Sequence, residues 1–424
     1  MIRDPLENRE GLLYFDGVSS LELAEKFDTP LYVISERRIR DNYKRLFNAL
    51  ARNYGKLRIY YAMKANSNLS VLKLLAGEGA YVDAVSPGDV SLAFKAGFAS
   101  ERILFTGTSV RNDELEFLLD SKVSINIDSL SQLDRLLSLT VPKLLSVRIN
   151  PEMGAGHHSH VITGGEHSKF GLWENDALSA FKLANEVGVE RFGIQMHVGS
   201  GVRHFAPFIQ ALEKLLNIAK KAHQRLGIQF EFVDMGGGLG VPYKPDDPDL
   251  DLTLLSDKVL ALFKDRSAEY GLGEPAFCME PGRYLVSDAS VLLTRVNTTK
   301  VTPYKRFVGV DAGFNTFVRP TMYGSYHHIV GANKLGSPET ETYDVVGPIC
   351  ESGDVFAKDR QLPKIEEGDL LAILNVGAYG FSMSSQYNSR PRAAEVMTKE
   401  GKAVLVRRRE QFSDLLSHQL LDGE

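Results

Sequence analysis

RIYYAMKAN, Arg58 to Asn66, joins an apolar, aromatic run to a lysine, and a stretch of helical period follows it at Leu69 to Gly79. The alternation recurs in YVDAVS (Tyr81 to Ser86), RILFTG (Arg102 to Gly107), VSINI (Val123 to Ile127), LLSVRI (Leu144 to Ile149), FGIQMHV (Phe192 to Val198), FEFVDM (Phe230 to Met235) and AFCME (Ala276 to Glu280). Helical patterns such as Asp113 to Ser121, Ala177 to Val187 and Phe208 to Leu226 lie between them, the signature of repeated βα units. Eight parallel strands in about 225 residues predict a closed (β/α)8 TIM barrel rather than an open sheet. After Pro281 the texture changes. VLLTRVNTTKV (Val291 to Val301), RFVGVD (Arg306 to Asp311), TYDVVG (Thr342 to Gly347) and LLAILNV (Leu370 to Val376) follow one another between Gly and Pro turns, which predicts an antiparallel β-barrel or sandwich domain. The strand-like LYVIS, Leu31 to Ser35, precedes the barrel and fits either domain.

The 424 residues exceed one domain's usual span, and 43% apolar with 24% charged residues is a globular composition. Lysine and arginine number 49 against 54 acidic residues, a net charge of −5. No basic field is present to hold nucleic acid or an anionic membrane, so the expected partner is a small molecule. Met1 to Phe15 mixes both charge signs without an apolar core, unlike a signal or transit peptide. No run is long enough to span a bilayer. Two cysteines, Cys278 and Cys350, far apart in sequence, argue against a disulfide framework and for a cytoplasmic protein.

In a βα barrel, reactive groups sit at the C-terminal ends of the strands. The first strand runs into Lys64, a lysine flanked by apolar residues, where desolvation would favour the free amine that forms Schiff bases. The sixth ends in HVGSG, placing His197 and Ser200 at the mouth, a ring able to stack on a heterocycle and a hydroxyl able to donate to phosphate. The seventh ends in GGGLG, where Gly236, Gly237 and Gly238 let backbone amides approach an anion. Val241 breaks the dinucleotide spacing and no Walker pattern follows, which leaves a monophosphate. The eighth ends in Glu280, Pro281, Gly282 and Arg283. Glu280 suits a pyridinium nitrogen and Arg283 a carboxylate or phosphate. Each signal is weak alone, and each residue has a structural alternative as a hydrogen-bonded strand end or a turn. Together they supply an amine, a stacking ring, a phosphate cradle and a carboxylate, the parts that pyridoxal phosphate needs.

The β region carries RPTMYGSYH (Arg319 to His327), CESGD (Cys350 to Asp354) and AYG (Ala378 to Gly380). Arg319 and Tyr323 can grip a second carboxylate. Cys350 reads as a buried apolar residue or as an acid that protonates a carbanion. These motifs, with SKFG (Ser168 to Gly171) and YNSRPR (Tyr387 to Arg392), resemble in kind and order the fold-type III decarboxylases of basic amino acids, most closely the branch acting on diaminopimelate. The resemblance implies that Lys64 forms the Schiff base, that His197 stacks on the ring, that Ser200 and Gly236 to Gly238 hold the phosphate, and that Glu280 binds the ring nitrogen. It implies that Arg283, Arg319, Tyr323, Glu351 and Tyr379 touch substrate, Tyr379 lying beside the cofactor as well. Cys350 would be the proton donor reaching in from the second subunit of a homodimer with shared active sites. The implied domains are a barrel over residues 36–285 and a β domain from residues 1–35 plus 286–424. The implied reaction converts meso-2,6-diaminopimelate to L-lysine and CO2. VSPGD, Val85 to Asp89, departs from the family in carrying Pro87, which has no N–H to offer.

A decarboxylase of ornithine, lysine, arginine or carboxynorspermidine would share the cofactor apparatus, but Arg283 and Arg319 favour a substrate with two carboxylates. A racemase would leave CES unexplained, and a silent cofactor-binding protein would not need both Lys64 and Cys350. His157, His158 and His160 lack an obvious fourth ligand, so no metal is expected, and His327 and His328 read as structural.

Overall fold

The computed structural model describes residues 3–151, 155–156, 165 and 168–421. His157, His158 and His160 lie outside them. Contacts divide the chain into two units, one of Asn42–Val241 and Asp249–Tyr284, the other of Met1–Asp41, Pro242–Pro248 and Leu285–Glu424.

In the first unit, the strands Leu57–Ala62, Tyr81–Ala84, Ile103–Phe105, Ser124–Ile127, Leu144–Ile149, Arg191–Met196, Phe230–Asp234 and Ala276–Met279 close into a barrel in that order. Every pairing is parallel, and the last strand returns to the first through Phe277 opposite Leu57. Each strand is an almost wholly buried run because helices cover its outer face. The helix Ala206–Leu226 buries Phe208, Leu212, Leu215 and Leu216, each contributing about 1.5–3 kcal/mol over exposure. Local chemistry starts and stops the helices. Asn68 accepts the Ser70 N–H at the head of Leu69–Gly77, and Ser86 accepts that of Asp89 at the head of Pro87–Ala96. Pro87 therefore occupies a first-turn position, where a helix has no intrahelical use for an N–H.

In the second unit a sheet runs Val355–Leu362, Glu341–Val346, Arg306–Val310, Ser290–Val301, Leu31–Ser35, Ala394–Lys399, Lys402–Arg407, with Leu370–Leu374 and Ile329–Gly331 branching from Ser290–Val301. It is mixed rather than purely antiparallel. Arg306–Val310 pairs parallel to Glu341–Val346, and Leu31–Ser35 parallel to Ala394–Lys399. Both pairs are joined by long connections, which parallel pairing requires and a hairpin cannot supply. Pro242–Pro248 belongs to this unit although it follows a barrel strand, because Arg3 donates to the Asp247 carbonyl (2.9 Å) and Asn375 to that of Pro242 (2.7 Å).

Candidate active site

In the barrel unit, Lys64 sits in the 3-10 turn Met63–Ala65 directly after the first strand. Its Nζ lies 2.6 Å from Asp83 Oδ2. Asp83 is completely buried on the second strand, and its other oxygen accepts from the Thr106 hydroxyl. Lys64 is thus held by a carboxylate with its side chain 40% exposed, a correction to the desolvated free amine expected from its apolar neighbours. An anion at this distance favours the ammonium.

His197 follows the sixth strand and is half-buried. Its Nδ1 accepts the Gly237 N–H at 3.0 Å, which puts the ring proton on Nε2. Burial pushes its pKa down to about 3, and the Arg148 and Lys64 cations add to this, so the ring is neutral. Gly236 donates its N–H to Asp234 Oδ1 at 2.8 Å. Two of the three glycine amides expected to face an anion therefore hold side chains instead. The run still has to be glycine. A Cβ at Gly236 would come 2.2 Å from the Met196 carbonyl oxygen, one at Gly237 2.2 Å from that of Glu280, and one at Gly238 2.6 Å from that of Gly199, while Gly236 and Gly238 have φ of +70° and +105°.

Arg283, buried, donates to the Ser200 hydroxyl from Nε (3.3 Å) and from a terminal nitrogen (3.1 Å), which brings two of the expected phosphate and carboxylate ligands together. Pro281 and Gly282 pack on the first strand. The Ala62 N–H donates to the Pro281 carbonyl, and a Cβ at Gly282 would press within 3.1 Å of the Ala62 oxygen.

Glu280 accepts from one nitrogen of Gln195 at both carboxylate oxygens, 3.0 and 3.1 Å, and the Gln195 carbonyl is fixed by Asn126 at 3.2 Å. Burial raises the pKa of Glu280, and the Asp234 and Asp83 carboxylates raise it further. Asp234 is likewise raised, mainly by burial, while the Gly236 N–H and a side-chain hydrogen bond with Glu280 act against the rise. The C-terminal ends of these strands thus hold more negative charge than they can comfortably ionise, which favours a cation there. Asp83, Asn126, Gln195 and Asp234 were missed from the sequence. The available signal was a polar residue inside each of four apolar strand runs. SKFG has a bracing part, since the Gly171 N–H donates to Asp128, whose carboxylate lies 3.8 Å from Arg148.

The second unit gathers another group. Arg319 opens the short helix Arg319–Tyr323 and is 1% exposed. Its guanidinium carbon lies 5.7 to 6.0 Å from the ring centres of Tyr243, Tyr323 and Tyr379, within cation–π range. Tyr379 holds φ +58°. Cys350 is exposed and Cys278 buried, so the apolar-burial reading of Cys350 does not hold. Glu351 is exposed beside it and accepts from the Tyr387 hydroxyl at 3.3 Å. His327 is structural, hydrogen-bonded to the Leu374 carbonyl and packed edge-on against Tyr243 and Phe317.

An amine at a strand end, a fixed neutral imidazole, a glycine cradle closed to any Cβ and a buried carboxylate on a parallel barrel define a class of enzyme built around a Schiff-base-forming cofactor. The chain belongs to the pyridoxal-dependent decarboxylases, whose pyridoxal binding domain matches residues 39–287. It is 54% identical over 420 residues to a diaminopimelate decarboxylase of Methanothermobacter thermautotrophicus, covering 99% of this chain and 98% of that one. It is 37% identical to one of Aquifex aeolicus, over 98% and 97% of the two chains. A crystal structure of diaminopimelate decarboxylase from M. jannaschii in complex with L-lysine superposes with a TM-score of 0.92 at 36% identity, covering 99% of this chain and 98% of that one. Pyridoxal phosphate fits the residues present. Asp234 and Glu280 are buried carboxyls whose raised pKa values a protonated ring nitrogen would relieve, and Arg283 and Ser200 converge as ligands suited to a phosphate. Among the described residues no helix is long and apolar enough to cross a membrane.

Proposed function

We propose that this protein decarboxylates meso-2,6-diaminopimelate to L-lysine with pyridoxal phosphate as cofactor, acting as a cytoplasmic homodimer with shared active sites. The observation that carries the choice of substrate is Arg319, a guanidinium 1% exposed among three tyrosine rings. A buried cation of this kind matches a distal carboxylate and repels the distal ammonium of lysine or ornithine. The names of the full-length relatives support the same substrate.

In this reading the barrel, residues 36–285, holds the cofactor, and the β domain, residues 1–35 plus 286–424, holds the distal end of the substrate. Lys64 would carry the cofactor, His197 would lie against its ring, held there by Gly237, and Ser200, Arg283 and the Gly238 end of the glycine run would surround its phosphate. Pro281 and Gly282 would form the wall at the first strand, and Tyr379 would reach the phosphate side. Bound there, pyridoxal phosphate supplies the electron sink for the pair released when the Cα–carboxylate bond breaks. Glu280, oriented by Gln195, would face the ring nitrogen and hold a proton there, and Asp83 would hold the Lys64 ammonium. Arg319 and Tyr323 hold the distal end of the substrate, together with Glu351, which comes with Cys350 from the partner subunit. The Cys350 thiol, from the partner subunit, returns a proton to Cα.

Release of CO2 from meso-diaminopimelate, lysine, ornithine and arginine, measured side by side with added pyridoxal phosphate, tests the assignment. Turnover of meso-diaminopimelate should exceed the others by two orders of magnitude or more, roughly 3 kcal/mol in transition-state binding. Equal turnover of ornithine would refute it.

A further inference from the structure

YNSRPR enters no part of the chemistry above, yet its first three residues form a short turn, Tyr387–Ser389, against the segment that carries Cys350. The Cys350 N–H donates to Asn388 Oδ1 at 2.9 Å. One residue on, the Glu351 carboxylate accepts from the Tyr387 hydroxyl at 3.3 Å, and the Tyr387 ring stacks on Phe314 with centres 5.4 Å apart and planes 23° off parallel. From beneath, the buried Asp354 carboxylate accepts the Phe314 and Ile349 N–H groups, both at 2.7 Å. Asp354 thus ties Phe314, the ring under Tyr387, to Ile349, the residue before Cys350.

Asn388 and Ser389 are consecutive residues with φ of +56° and +55°. Asparagine is among the few side chains that adopt this conformation readily, and its carbonyl is the acceptor for Cys350. Cys350 and Glu351 are exposed in the single chain, and within the chain the turn and Asp354 help to hold them.

We propose that Asn388 and Tyr387 are positioning residues of the reaction. Asn388 sets the backbone from which the Cys350 thiol points, and Tyr387 sets the Glu351 carboxylate. This rests on the reading of Cys350 as the proton donor. A thiol displaced by even 1 Å would still leave substrate binding intact but would transfer its proton more slowly.

The test uses Asn388→Gly, Asn388→Asp and Tyr387→Phe in the full chain with cofactor. Glycine keeps the left-handed turn and removes only the acceptor, and aspartate keeps both. Asn388→Gly should lower kcat about tenfold with KM within about twofold, and Asn388→Asp should recover most of kcat. Tyr387→Phe keeps the stacking and should raise KM about threefold. Independently of turnover, iodoacetamide labelling of Cys350, followed by mass spectrometry with buried Cys278 as the unreactive internal control, should change at least about threefold in rate in Asn388→Gly. Wild-type kcat and wild-type labelling in Asn388→Gly, with Cys350→Ala inactive, would overturn the proposal. Full activity in Cys350→Ala would instead overturn the proton-donor reading beneath it.

Discussion

Lys64 Nζ stands 2.6 Å from Asp83 Oδ2, and Asp83 has no exposure of its own. The amine that is to carry the cofactor is therefore paired in advance with a buried anion. Treating the protein with pyridoxal phosphate and then borohydride should label Lys64 alone, and Lys64→Ala should take no label. Asp83→Asn removes the anion and leaves the amide to hydrogen-bond Thr106. With the anion that favours the ammonium gone, Asp83→Asn should label faster than the wild type at the same mildly acidic pH. Labelling at another lysine in Lys64→Ala would refute the assignment.

Asp234 and Glu280 give the protein a pH dependence whose sign is fixed by burial. Asp234 is pushed from 3.8 up to about 7, so between these values the folded chain holds a proton that the unfolded chain has released. Stability then falls as pH rises through that window. His197, lowered from 6.5 to about 3, acts in the opposite sense between those values, but it is common to both proteins in a comparison with Asp234→Asn. Without cofactor, Asp234→Asn should match the wild type near pH 4 and exceed it by about 1–3 kcal/mol at pH 8. Thermal melting at the two pH values checks this, and a constant difference at both would count against it.

Much of this was legible in the sequence because each barrel strand is a short buried run and four of the eight end in chemically loaded residues, so Lys64, His197, Glu280 and Arg283 announced themselves by position. The residues that tune them did not. Asp83, Gln195 and Asp234 interrupt apolar runs by one residue each, and only the barrel's closure brings them together around Lys64 and Glu280. The two parallel pairings of the β sheet were hidden for a related reason. Strand pattern reports which face is buried and carries no information on direction when the connection is long. The triple glycine was legible as a close approach of backbone, but its partners, Asp234 and His197, depend on atoms 2 to 40 residues away.

Gly237 is the sharpest steric constraint in the cradle that still has an ordinary φ. A methyl group there meets the Glu280 carbonyl oxygen at 2.2 Å, a backbone atom with no freedom to withdraw. Gly237→Ala should cost about 2–4 kcal/mol of stability. It should also weaken pyridoxal phosphate binding, read by fluorescence titration, because the shift displaces the N–H that fixes the His197 ring.

Arg319→Ala should reduce kcat/KM on meso-diaminopimelate by on the order of 10²-fold, the ~3 kcal/mol of a buried charge-assisted contact. The weak activity on lysine should change little, so the loss is one of discrimination. Arg319→Lys should recover less than half of it on a free-energy scale, since an ammonium cannot match a carboxylate with two parallel hydrogen bonds. An equal loss on both substrates would mean that Arg319 supports the fold of the β unit rather than the substrate.

Lys64 and Cys350 belong to different units of the chain, and the proposed homodimer places them in one site by pairing Lys64 of one subunit with Cys350 of the other. Two-fold symmetry then makes two such sites per dimer. Lys64→Ala and Cys350→Ala should each be nearly inactive when purified separately. If the two are unfolded together and refolded, random pairing makes half of the dimers mixed. Each mixed dimer has one site with both residues intact and one with neither, so about a quarter of all sites should recover. Differently tagged chains allow the mixed dimer to be isolated, where the recovery should rise to about half. A mixed dimer as inactive as its parents would show that Cys350 acts within its own chain or not at all.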